Sequence, residues 1–232
     1  MFAQIVYIRD YEPSVQAANK AFTSCEKYGI IPWLVDGVTP KTLPQVHAKY
    51  KLDPVPFSRA WDYEKENQSY LQTKKSCFYN HVIFWEKVVE RNEVGIFLEH
   101  DAKMIAPWDN PDFDEVLCLN IYTAVKSHEQ INMKAGWGWK YEARLHRELR
   151  PLEYNLRYHK NNIFKDGCLI PGTAAYAITP KGAKRLLKST AINGWDQSDY
   201  FINTKNVNIA YADPEYFQFN SDNLRTSAKQ KW

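Results

Sequence analysis

Residues 76–91 carry Phe78, Val82, Trp85, Val88 and Val89 at helical spacing, and two residues further on VGIFL (94–98) is apolar at almost every position. A short run that is apolar on both faces reads as a strand covered from both sides. A helix feeding such a strand restricts the chain to a sheet with helices packed on its two faces. The rest of the sequence keeps that rhythm. Strands are expected at residues 4–8, 30–35, 115–122, 173–178 and 207–212. Helices are expected at 14–28, closed by Gly29, at 179–188, and more briefly at 197–203. The helix at 179–188 starts with Thr179 as N-cap and Pro180 at the first helical position. The expected fold class is therefore α/β, Rossmann-like, with a mostly parallel sheet. Residues 1–232 are expected to form a single domain, with an insertion at about 123–170 where the rhythm breaks. Residues 39–72 give no clear pattern.

Hydrophobic residues make up 44% of the chain and aromatics 15%, enough for a packed core, so disorder is excluded. A net charge of +3 does not point to nucleic acid as a partner. The four cysteines, Cys25, Cys77, Cys118 and Cys168, form no CxxC pair and are expected to be free thiols. No stretch is long and apolar enough for a membrane span, and the opening MFAQIVYIRD lacks the pattern of a secretion signal. A cytoplasmic location is expected. The positive charge is concentrated in residues 134–165, where eight basic side chains face three acidic ones around the sequence GWGWKY. Such a segment suits a lid over an anionic ligand. It equally suits a solvated helix over 144–158, with Leu145, Leu149, Leu152 and Leu156 as its apolar stripe.

The apolar run 94–98 ends in Glu99, His100 and Asp101. Ligands of open α/β sheets bind beyond the carboxyl ends of the strands. On extended backbone Glu99 and Asp101 share one face and His100 takes the other. Two carboxylates aimed at one point repel unless a cation intervenes, and Mg²⁺ or Mn²⁺ suits such oxygens together with a diphosphate. The plainer alternative is a solvated junction where acids happen to fall.

The surrounding residues resemble glycosyltransferase family 25, the group of lipooligosaccharide β-galactosyltransferases and collagen galactosyltransferases. That family carries a Cys-x-x-Ser-His-x-x-x-Trp helix and then a strand ending in Glu-Asp-Asp. Cys77, His81 and Trp85 match the helix, with Asn80 in place of the Ser; Glu99 and Asp101 match the acids, with His100 between them. Gly172, Tyr176, Ala183 and Leu186 fit a further family segment, and WDQSDYFIN (195–203) followed by Pro214 fits its closing part. IVYIRD and LVDG near the start resemble its opening strand and turn.

The resemblance implies a GT-A architecture, a UDP-hexose donor, inversion at the sugar carbon, and a glycan or other hydroxyl acceptor in a setting such as lipopolysaccharide biosynthesis. It implies Mn²⁺ or Mg²⁺ held by Asp101 with Glu99, and donor contacts from Asp36, Asn80, His81, Glu99, Gly172 and Thr173. The general base is expected to be Asp196 or Asp199, three apart and so adjacent on one helical face. Asp196 is favoured, because it stands at the helix start beside Trp195, an aromatic suited to stacking on sugar. Structural roles compete for each of these residues: helix capping for the aspartates, turns for Asp36 and Gly172, a helix-terminal pair for Asn80 and His81. Two rival functions are a catalytically degenerate carbohydrate-binding domain and a metal-dependent phosphoesterase.

Overall fold

The apolar run becomes the strand around which the sheet is built. The computed structural model describes residues 1–56, 68–120, 146–152, 167–168, 170 and 173–219. Within them lie β1 (Phe2–Tyr7), α1 (Glu12–Lys27), β2 (Trp33–Asp36), α2 (Leu43–Tyr50), α3 (Gln68–Arg91), β3 (Gly95–Glu99) and β4 (Ala102–Met104). There follow β5 (Val116–Cys118), β6 (Glu148–Pro151), β7 (Ala175–Ile178), α4 (Pro180–Asn193), α5 (Ser198–Phe201), β8 (Ile209–Asp213) and β9 (Phe217–Phe219). Seven strands form one sheet in the order β2-β1-β3-β7-β5-β8-β6, and β4 pairs with β9 in a second, two-stranded sheet.

β1 runs parallel to β2 and β3, and β5 runs parallel to β8. β7 lies antiparallel between β3 and β5, and β6 is antiparallel to β8. Five of the seven strands therefore point one way, as the alternation of elements predicts. Side-chain alternation along β3 feeds two core layers. Phe97 joins Phe78, Val82 and Trp85 of α3 and Leu186 of α4 on one face. Ile96 and Leu98 join Ala18, Ala21 and Cys25 of α1 on the other. Each such side chain, fully buried, contributes on the order of 1.5–3 kcal/mol.

Several elements differ from expectation. α3 begins at Gln68, two turns before residue 76, because its polar first turns satisfy themselves internally: the Thr73 and Ser76 hydroxyls donate to the carbonyls of Ser69 (3.0 Å) and Gln72 (2.8 Å). The helix proposed for 144–158 is not present at 148–151, which form β6 against β8. Leu149 packs into one core layer and Leu152 into the other, so their three-residue spacing marks opposite faces of extended chain rather than one helical stripe. The GWGWKY lid lies outside the described residues. α2, β4 and β9 fall in stretches without a pattern. All four cysteines are free.

The start of α4 is fixed by a buried carboxylate. Glu115 accepts from Arg185 Nη1 (2.7 Å) and from the Asn208 backbone N–H (2.7 Å), and its carbonyl receives the Thr179 N–H (2.9 Å). The Thr179 hydroxyl caps the helix by accepting from the Gly182 N–H (3.2 Å). A Cβ on Gly182 would stand 2.6 Å from the Glu115 carbonyl oxygen. Gly to Ala inside a helix ordinarily stabilises by about 1 kcal/mol. Here the backbone clash reverses the sign, and Gly182→Ala is expected to destabilise by about 1–3 kcal/mol. Thermal unfolding of the variant checks this; a raised Tm would contradict the packing.

Candidate active site

β1, β2 and β3 are mutually parallel neighbours, so their carboxyl ends open at one edge of the sheet. A cleft lies there, lined by residues 6–8, by residues 37–40 after β2, by Glu99 and His100, and by the face of α3 that carries Cys77, Asn80 and His81. Gly37 makes the turn over β1 possible: a Cβ there would meet Val6 Cγ1 at 2.9 Å. The Asn80 Oδ1 accepts from the Val38 N–H at 2.7 Å and holds this loop as one wall of the cleft. Asn80 and His81 lie well inside α3, not near its start, because the helix extends upstream to Gln68. Asp36 stands at the rim: its Oδ1 accepts from the Arg9 N–H (3.2 Å), with Arg9 Nε 3.5 Å from Oδ2.

His81 has a defined protonation state. The Trp85 indole N–H donates to the Tyr176 hydroxyl at 3.0 Å, and that hydroxyl lies 2.9 Å from His81 Nδ1. Trp is a donor only, so the Tyr176 oxygen is accepting and its proton needs an acceptor of its own. Nδ1 is the partner in reach, which puts the imidazole proton on Nε2. Burial pushes the His81 pKa down to about 3, so the ring is neutral. It stacks on Phe97 with ring centroids 4.1 Å apart. His81 is thus a fixed N–H donor in the cleft wall, unsuited to proton transfer near neutral pH.

The acids behave differently. The strand ends at Glu99 and the chain turns at His100 and Asp101, so strict alternation stops there. His100 consequently lines the cleft with Glu99 instead of facing away. Burial raises Glu99 to about 8, helped by Asp101 and Asp199 and opposed by Lys74. Burial also raises Asp101, against the lowering effect of His100. The Asp101 Oδ1 is buried without a hydrogen-bond partner. Lys74 loses charge stability by burial, but Asp199 leads the groups that outweigh this, and its pKa is raised. Among the described residues two carboxylates, Asp101 and Asp199, and one ammonium, Lys74, act on Glu99. A divalent cation fits this imbalance and the orphaned oxygen. Among the described residues no three ligating groups cluster for a metal. Two carboxylates are the number that Mg²⁺ or Mn²⁺ takes when substrate phosphates complete its shell.

Of the two candidate bases, only Asp199 acts on this cluster. Asp196 is fully buried, its Oδ1 accepting from the Gln197 N–H at 2.7 Å. It precedes α5, which starts at Ser198, so the two aspartates do not share a helical face. Trp195 is 1% exposed, packed near Phe78, and offers no open ring to a sugar. The Thr173 hydroxyl pairs with Ser198 at 3.0 Å, tying the start of β7 to α5. Gly172 lies outside the described residues. Lys74 escaped the sequence reading. The signal available was its place three and seven residues before Cys77 and His81, on one face of a helix whose first turns were not recognised.

Two consequences are measurable. A carboxyl raised from 4.5 to about 8 binds a proton in the folded state that the unfolded chain releases. Stability therefore falls as pH rises through that window, and Glu99→Gln should gain stability over the parent at pH 9, by about 1–3 kcal/mol, with the gap closing toward pH 4.5. His81 has the opposite sign: its contribution is held above pH 6.5 and lost as acid protonates the unfolded chain. Unfolding curves at pH 5, 7 and 9 test both; an E99Q variant less stable at pH 9 than the parent would contradict the first.

Among the described residues no helix is long and apolar enough to cross a membrane. A search of curated proteins returns no match. Among solved structures the chain is similar to the apo crystal structure of mouse xyloside xylosyltransferase 1, with 9% identity, a TM-score of 0.37, and coverage of 87% of this chain and 80% of that one. The family model for glycosyltransferase family 25, described as an LPS biosynthesis protein, matches residues 19–202, most of the length and every element from the body of α1 to α5. The chain belongs to glycosyltransferase family 25.

Proposed function

We propose that this chain is a metal-dependent, inverting hexosyltransferase of GT-A type, which moves galactose or glucose from a UDP-sugar to a hydroxyl of a glycan or similar acceptor. The observation that carries this reading is the carboxylate pair at the end of β3: Glu99 lines the cleft, and the buried Asp101 Oδ1 has no hydrogen-bond partner among the described residues. Asp101 and Glu99 would hold Mn²⁺ or Mg²⁺, which when bound supplies positive charge to the departing diphosphate. The cleft beside them takes the nucleoside part, with the loop 37–40 as one wall and the His81 Nε2–H as a donor to a carbonyl or phosphate oxygen. Lys74 adds charge on the same side.

Asp199 is the base in this reading. The acceptor oxygen attacks the anomeric carbon from the face opposite the diphosphate. The bond from that carbon to the β-phosphate oxygen breaks with its electron pair leaving on UDP, and the acceptor proton passes to the Asp199 carboxylate. Asp196 serves the backbone before α5 and has no part in the chemistry.

Incubation with UDP-galactose, UDP-glucose and a mixed glycan acceptor panel, with Mn²⁺, should release UDP. Asp199→Asn is expected to lower kcat by about 10²–10⁴-fold, and Asp101→Asn to abolish the Mn²⁺ dependence together with most turnover. Asp196→Asn should cost stability and leave kcat near the parent value. Turnover undiminished in EDTA would assign the neutralising charge to Lys74 alone. Carbohydrate binding without UDP release from any donor would favour the degenerate binding domain.

A further inference from the structure

Two buried carboxamides near this site carry unspent N–H groups. Asn120 is 1% exposed and Gln197 5% exposed, and among the described residues Asn120 Nδ2 and Gln197 Nε2 have no hydrogen-bond partner. Buried amides of structural purpose spend their donors, because a desolvated N–H without a partner is costly. Two such groups near one site point to a ligand that completes them.

Strand register places Asn120 beside the acids of β3. The Glu99 N–H donates to the Ala174 carbonyl (2.8 Å), and the Leu119 N–H donates to the Ala175 carbonyl (3.1 Å). Leu98 pairs with Ala175 in one ladder, and Cys118 pairs with Tyr176 in the next. Glu99, Ala174 and Asn120 thus form one row across β3, β7 and β5. Phe97, Tyr176 and Cys118, one pleat below, all belong to the core layer beneath α3. Residues two further along the alternation share that face, so Glu99 and Asn120 stand on either side of Ala174, whose methyl group leaves the middle of the row low. Gln197 comes near this row through the chain: Ser198, next in sequence, has its hydroxyl 3.0 Å from that of Thr173, which precedes Ala174. Asp199 follows directly.

We propose that the Asn120 and Gln197 carboxamides are the subsite that reads the hydroxyl groups of the donor's sugar ring. The proposal rests on the transferase reading above. Its chemistry is that of a neutral polyol. Each hydroxyl both donates and accepts, and the row offers amide donors interleaved with the carboxylates of Glu99 and Asp199 as acceptors. A phosphate would want a cation where these two neutral amides stand. The Asn120 Oδ1 receives only the Cys118 thiol at 3.9 Å, which leaves it available as a further acceptor.

The test separates sugar from nucleotide. Asn120→Leu and Gln197→Leu replace each amide by an apolar group of similar size. Affinity for UDP alone should stay within twofold of the parent, and Tm should stay close to the parent's, since among the described residues the one hydrogen bond lost is the 3.9 Å contact from the Cys118 thiol to Asn120 Oδ1. The kcat/KM for whichever of UDP-galactose and UDP-glucose the parent uses should fall at least tenfold, and the ratio between the two donors should change. Asn120→Asp, which keeps the acceptor and removes the donors, should show the same loss and serves if the leucine variant at that position does not fold. Values of kcat/KM within twofold of an active parent in all variants would overturn the proposal and leave the transferase reading intact. An equal loss of UDP affinity would also overturn it. A parent inert toward every sugar nucleotide removes the transferase reading, and this proposal with it.

Discussion

Like charges gathered at one end of a rigid strand are the constraint to which the rest of the molecule answers. Glu99 and Asp101 leave β3 within three residues of each other, and Asp199 acts on them from α5. Alone they would push apart, and a soft scaffold would let them. β3 cannot yield, because it is bonded on both sides, to β1 and to β7, and both of its faces are covered. Their burial, with Asp101 and Asp199 adding to it at Glu99, therefore appears as raised proton affinity instead of as movement. Under the transferase reading proposed above, a bound cation would relieve this condition.

The stiffness comes from aromatic packing that serves core and site together. Phe97 lies under His81, Tyr176 stacks on both, and Trp85 closes the set through the Tyr176 hydroxyl. The same contacts that bury apolar area also choose the His81 tautomer. Sequence spacing alone marks Trp85 and Tyr176 as core, and they are buried; their polar tips nevertheless decide which proton His81 shows to the cleft. A residue's burial and its influence on a site are separate questions.

What the sequence makes legible follows from how local the cause is. The alternation of helices and strands, the cap at Thr179, and the acids at the end of β3 each depend on a few adjacent residues, and each is present. β6 was missed because leucines three apart suit a helix stripe, and only pairing with β8 selects extended chain. The shared face of Asp196 and Asp199 failed for a similar reason. The spacing is right for a helix, but the helix begins at Ser198, after Asp196 has already been drawn into the interior. The placing of Lys74 and Asn120 is not local: one depends on where α3 starts, the other on a register across three strands.

That register has a topological origin. In a sheet of purely parallel strands, the segment leading into each strand sits at the edge away from the ligand. β7 runs against its neighbours, so its entry at Thr173 lies at the same edge as the exits of β3 and β5. The reversal delivers the chain before β7 to the site, and through the Thr173–Ser198 contact it anchors α5 there as well. Glu99 and the entry of β7 lie at one edge because this central strand is inverted. A parallel strand in that position would leave Asp199 without its anchor beside the acids of β3, and the carboxylate cluster would shrink to a pair.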